Sequence, residues 1–246
     1  MQIGADIYCD SECILRTLDG HLPSPAFYGQ TPPLWNGHGL FELLFKLALV
    51  YTGDAMPEGF VEDRGRLYLG PDWDMDTLSS QIPGVIDSIE NEFSALDQVL
   101  GEDRLFLGGE QPNAADANAY HLVWFLRGRW DGGPALLSKL THVLDWEKRM
   151  TQIGHGTWTE LSSGDALDIA RNAEPTTPRS VESDNSLGLK IDQPVTVTPD
   201  GIGGDPEVAG TVRFIDHHTI AILRHDELVG DVCVHFPILG YRVRAQ

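Results

Sequence analysis

Asp10 and Ser11 are the residues of this chain whose types and placement most directly suggest chemistry. They stand at the head of an amphipathic stretch in which Ile14, Leu15 and Leu18 share one side and Gly20 marks the end. A serine at a helix N-terminus offers a hydroxyl and a backbone N–H to an anion, and the helix dipole adds to the attraction. The neighbouring carboxylate suits an ammonium group. Together the pair matches an amino-acid-like group that carries both charges. The same two residues also make an ordinary N-cap, and on these residues alone that reading prevails.

A second constellation runs from Phe106 to Asp116, Phe-Leu-Gly-Gly-Glu-Gln-Pro-Asn-Ala-Ala-Asp. Asn113 can cap the amide of Asp116, and Asp116 can reach back to Asn113, which is capping-box geometry with Asn and Asp in place of Ser and Glu. Its role is structural: it starts a buried helix, and loss of either partner costs about 1 kcal/mol or more.

In this order and separation, the two features resemble the glutathione transferase superfamily, in which a thioredoxin-like half precedes an all-helical half. Asp10-Ser11 is similar to the acidic-Ser pair that grips the γ-glutamyl end of glutathione, and Phe106 to Asp116 is similar to the capping-box motif of the helical half. The resemblance covers residues 1–172. It implies glutathione as co-substrate, with Ser11 on the γ-glutamyl carboxylate and Asp10 on the ammonium group, a small-molecule electrophile as second substrate, and a homodimer. Trp35, Phe41 and Trp124 lie on or beside helices that flank the electrophile pocket in that family. Aromatic residues on bundle helices also serve as plain core.

The family's thiol-activating Tyr, Ser or Cys and its cis-Pro loop would precede Met1. No residue here is carried over to the activating role, and the catalytic set of this chain is empty. The expectation is an N-terminally truncated chain whose full-length form delivers the glutathione thiolate to an electrophile. Two alternatives stand beside it: a non-catalytic glutathione-transferase-like binding or scaffold protein, and an incomplete gene model.

Other reactive side chains read as structural. Cys9 and Cys13 are not a Cys-x-x-Cys pair and suit small buried hydrophobes. His217, His218, His225 and His235 lie near Cys233, and in a strand Cys233 and His235 share a face. A structural zinc needs four converging ligands, and no spaced second pair is evident, so no metal is expected.

Bulk properties narrow the setting. The 246 residues carry a formal charge of −20, which repels phosphate backbones and anionic membrane surfaces, so neither nucleic acid nor membrane is an expected partner. Three cysteines and no visible signal peptide point to a reducing, cytoplasmic setting.

The elements that must position these residues fall into an α+β arrangement. Residues 1–20 read as two short strands and a helix, a partial thioredoxin-like β-β-α fragment. Two strands that short need partners, which are expected upstream of Met1. Residues 21–172 open with a proline-rich connector, 21–33, and continue as an all-α bundle. Its expected helices include one around Leu40–Ala48, then 76–100, with Pro83 kinking or breaking the start, then 113–130, 134–150 and 165–172. Residues 173–188 read as a linker. Residues 189–246 switch to period two, with strands at 195–197, 210–215, 219–224, 231–236 and 241–244. That spacing predicts a small, closed or nearly closed β-barrel-like module.

Overall fold

The computed structural model describes residues 1–21, 35, 37, 39–101, 103–200 and 206–246. The proline-rich connector beyond His21 and the turn expected at 201–205 lie outside the described residues. Two compact units emerge, one of Met1–Leu22 with Trp158–Gln246, the other of Pro23–Thr157.

The chain starts with the expected hairpin. β1 (Gln2–Ile3) and β2 (Asp6–Tyr8) pair antiparallel, Gln2 opposite Ile7 and Ile3 opposite Asp6. Gly4 in the turn has φ 60°, a conformation that glycine adopts without a Cβ penalty. The next element, α1 (Ser11–His21), buries Cys13.

The helical unit begins with α2 (Leu40–Thr52), which buries Leu40, Leu44 and Leu47 in the main core. Its second stripe sends Phe45 and Leu49 into a smaller cluster with Leu78, so a helix apolar on most sides is covered on two of them. α3 (Phe60–Leu69) follows. α4 (Met75–Leu100) starts at Asp74, whose Oδ1 accepts the Thr77 N–H at 2.8 Å. It buries Leu78, Ile82, Val85, Ile89, Phe93, Leu96 and Leu100. Pro83 lies inside this helix and does not break it. The missing N–H forfeits one hydrogen bond, whereas each buried aliphatic side chain on either side contributes about 1.5–3 kcal/mol.

Beyond α5 (Ala114–Arg129), the single helix expected over 134–150 is two, α6 (Gly133–Leu137) and α7 (Thr141–Ile153). The Leu140 N–H bonds back to the Leu137 carbonyl, which closes a turn between them. The N-terminus of α7 has no cap from its own flank. Asp97 of α4 supplies one across the bundle, with Oδ1 accepting the Val143 N–H at 2.9 Å.

The loop ahead of α5 wraps around one carboxylate. Asn113 caps α5, and the reciprocal box with Asp116 forms as expected. Asp116 does more than the box requires. Oδ1 accepts the Leu107 N–H and the Trp146 indole N–H, both at 2.8 Å, and Oδ2 accepts the Gly108 and Asn113 N–H groups at 3.1 and 3.0 Å. Asp116 is 0% exposed. Gly108 makes the wrap possible, since a Cβ there would sit 2.5 Å from the Gln111 carbonyl oxygen.

The second unit resumes with α8 (Ser163–Arg171), capped by Ser162, whose Oγ accepts the Asp165 N–H. Six strands follow: β3 (Ser180–Val181), β4 (Pro194–Pro199), β5 (Val208–Ile215), β6 (Thr219–Asp226), β7 (Gly230–Pro237) and β8 (Tyr241–Ala245). β4 to β8 fall on the expected strands, but the sheet is open. Its order is β1-β2-β7-β6-β5-β4-β8, with β3 beside β5. A five-stranded barrel would close by joining β8 to β7. β2 takes that edge of β7 instead, in parallel, with Asp6 beside Cys233, Ile7 beside Val234 and Tyr8 beside His235. β2 therefore finds a partner at the far end of the chain. The 173–188 segment, read as a linker, contributes β3 to the same sheet.

The bundle's dependence on Asp116 is measurable. Asp116→Ala should lower the stability of the helical unit by at least about 3 kcal/mol, because it leaves several buried donors unpaired. Asn113→Ala should cost only about 1 kcal/mol. Urea unfolding followed by circular dichroism distinguishes the two, and equal losses would contradict the hub role.

Candidate functional site

Asp10 occupies the cap position of α1 with φ 70°, left-handed for a residue with a side chain. Its carbonyl accepts the Ile14 N–H at 3.0 Å, and its Oδ1 accepts the Glu12 N–H at 2.8 Å. Ser11 is the first helical residue and is exposed. The structure thus brings the pair together at a helix N-terminus, with Asp10 rather than Ser11 doing the capping.

Of the three aromatic pocket candidates, Phe41 lines a cavity. That cavity, of about 270 Å³, lies in the helical unit among Phe41, Phe45, Leu49, Phe60, Tyr68 and Phe125. Met56, Arg64 and Arg129 also line it. Arg64 lies over the Phe60 ring, 5.4 Å from its centroid. Trp35 and Trp124 are not among the lining residues. Trp35, 7% exposed, belongs to the bundle core, whereas Trp124 is 54% exposed on α5 with Arg129 5.9 Å from its ring centroid. Sequence patterning missed Phe60, Arg64 and Tyr68, because α3 buries little on its own and gains its place against the cluster of Phe45, Leu49 and Leu78 from α2 and α4.

A polar cluster lies inside the sheet unit. Asp6 is fully buried. Its Oδ2 accepts the Thr176 backbone N–H at 2.7 Å and the Thr176 hydroxyl at 2.8 Å. Its Oδ1 accepts the Thr177 hydroxyl at 2.6 Å and lies 3.1 Å from His235 Nε2. Arg213 donates to the carbonyls of Thr177 and Pro175, which pins this segment in place. Burial by itself would raise the Asp6 pKa. The bonds from His235, Thr177 and Thr176 outweigh burial and hold the carboxyl well below the usual carboxylate range.

The three cysteines are free thiols. Burial, and after it the neighbouring negative groups, pushes the Cys13 thiol up to about 11 and the Cys233 thiol up to about 12. Such thiols stay protonated and unreactive near neutrality. Of the histidines near Cys233, His217 and His225 are exposed beside Glu182 and Asp231, and His235 is the buried one.

Comparison with known proteins bears on these sites together. The family model of the glutathione S-transferase C-terminal domain matches residues 79–149, from within α4 to within α7. The whole fold is similar to the crystal structure of a GST-like protein from Pseudomonas syringae, with a TM-score of 0.75 and 29% identity. The match covers 100% of this chain and 80% of that one. Residues 79–149 thus match a glutathione S-transferase C-terminal domain, and the fold as a whole is similar to that of a GST-like protein. No curated protein matches this chain. Within the superfamily match lie the Asp116 hub and α5, whose Phe125 and Arg129 help to line the cavity. Among the described residues no helix is long and apolar enough to cross a membrane.

The Asp6 cluster carries a pH signature. Because its folded pKa is depressed, the stability Asp6 contributes is present above its unfolded value of roughly 4 and is lost as the pH falls toward the folded value. Wild type should therefore be more stable than Asp6→Asn at neutral pH, with the gap narrowing as the pH drops below about 4. Chemical unfolding of both proteins across that range checks this, and a gap independent of pH would refute it.

Proposed function

We propose that this chain supplies the glutathione grip and the second-substrate pocket of a glutathione transferase. Glutathione is the co-substrate, and a small electrophile accepts its thiolate. The observation that most supports this reading is the Asp10–Ser11 pair at the N-terminus of α1. The Ser11 hydroxyl and N–H face an incoming carboxylate with the helix dipole behind them. Asp10 caps its helix through Oδ1, and its Oδ2, without a hydrogen bond among the described residues, is offered to the ammonium group. The ammonium and carboxylate of the γ-glutamyl end share one α-carbon and thus meet partners on adjacent residues.

The apolar cavity beside Phe41 is the natural place for the electrophile. Its aromatic wall suits a small apolar body, and its volume lies just under the range typical of ligand pockets, about 300–1,000 Å³. Thiol activation is assigned to no residue of this chain. Association as a homodimer and a cytoplasmic setting complete the reading, and the free cysteines are in keeping with a reducing compartment.

Calorimetric titration with glutathione tests the grip. Ser11→Ala should weaken binding by roughly tenfold, about 1.4 kcal/mol, with an unchanged circular dichroism spectrum. Undiminished affinity in that variant, or no glutathione binding by the wild-type chain, would overturn the assignment.

A further inference from the structure

The proposed function leaves unused a face of β7 on which three ligand-type side chains converge. The parallel register of β2 on β7 sets Asp6 beside Cys233 and Tyr8 beside His235. Among the described residues, Asp6, Cys233 and His235 each offer one ligand atom, and these atoms lie within 4.8 Å of one another. All three residues are buried. A carboxylate oxygen, a thiolate sulfur and an imidazole nitrogen form a donor set suited to zinc and similar transition ions.

Distances set what such an ion would require. Tetrahedral zinc, with bonds of about 2.0–2.3 Å, holds its ligand atoms about 3.3–3.8 Å apart. Asp6 Oδ1 and His235 Nε2, 3.1 Å apart, are already close to that spacing. Thr177 Oγ1, hydrogen-bonded at 2.6 Å from the first and 2.9 Å from the second, would move outward by up to about 0.7 Å to act as a ligand. Charge agrees as well, since a divalent cation with one carboxylate and one thiolate is neutral, which removes the main cost of burying ions.

We propose that Asp6, Cys233 and His235, with Thr177 Oγ1 as fourth donor, form a zinc-class metal site that clamps β2 and the 176–177 segment onto β7. With four protein donors and no exposed position, the site is structural. As the ion binds, the Cys233 Sγ–H bond ionises and its proton leaves to solvent. The His235 Nε2–H, which donates to Asp6 before the ion binds, gives its proton to solvent while Nδ1 takes one up, and the freed Nε2 lone pair turns to the metal. The surrounding contacts support these ligands. Thr176 holds Asp6 Oδ2, and the Tyr8 ring stacks on His235 with centroids 4.2 Å apart, fixing the imidazole plane. In the metal-free state, burial keeps the thiol protonated, and the cation's charge opposes that effect as it enters.

Cobalt(II) titration of the full chain tests the site. The expected result is one cobalt per chain, a near-ultraviolet thiolate-to-cobalt charge-transfer band, and visible bands of tetrahedral intensity. X-ray absorption on the wild-type complex should find one sulfur and three nitrogen or oxygen donors. Cys233→Ser should abolish the charge-transfer band, and Cys9→Ser/Cys13→Ser should retain it. Zinc should also raise the thermal midpoint of the wild type. No stoichiometric cobalt binding, a donor shell with no sulfur or with two, or a band that survives Cys233→Ser would overturn the proposal. Should Cys233→Ser fail to fold, the wild-type donor count decides alone.

Discussion

Each of the two units is organised around a carboxylate that has lost its water. Asp6 and Asp116 are both fully buried. An ionised group in that position is tolerable only when donors replace its hydration shell, because bare burial of a charge costs far more than a domain's whole margin of stability. Asp116 meets the demand with three backbone N–H groups and an indole N–H. Asp6 meets it with two threonines and an imidazole. Every segment that supplies a donor is thereby held in place. The loop before α5, the start of α5 and the middle of α7 are fixed by the first. β2, the 176–177 segment and β7 are fixed by the second.

The two hubs serve different ends. Asp116 gives the bundle a rigid frame, from which α2, α3 and α5 present an apolar cavity with Phe41 on its wall. Asp6 decides where the N-terminal hairpin goes. By tying β2 to β7 it takes the edge that β8 would need to close a barrel, and it holds the start of the chain against its end. Asp10 and Ser11 follow directly on that anchored strand. The geometry of the candidate glutathione grip therefore rests on a strand pairing made some 230 residues later in the chain.

How much of this was legible from sequence depended on range. The Asn113–Asp116 box was readable because its donors and acceptors lie within one turn. β4 to β8 were readable from their alternation, and α4 from its row of Ile, Phe and Leu. Pro83 does not break α4 because the buried stripe on either side outweighs one lost hydrogen bond. The split between α6 and α7 escaped notice because a turn of a few residues barely disturbs an apolar pattern. Trp35 and Trp124 were read alike, yet one fills the core and the other lies on the surface.

The sequence by itself determined what short-range physics decides: the helices and strands, the capping box, the serine at a helix head, and the −20 charge that argues against polyanionic partners. Only the tertiary structure decided which strands meet, and so which face of β7 gathers Asp6, Cys233 and His235. Parallel pairing between distant segments leaves no periodic mark on either one. The partners of a buried aspartate become visible only when the register is set, because a one-residue slip would turn every side chain on the strand to the opposite face.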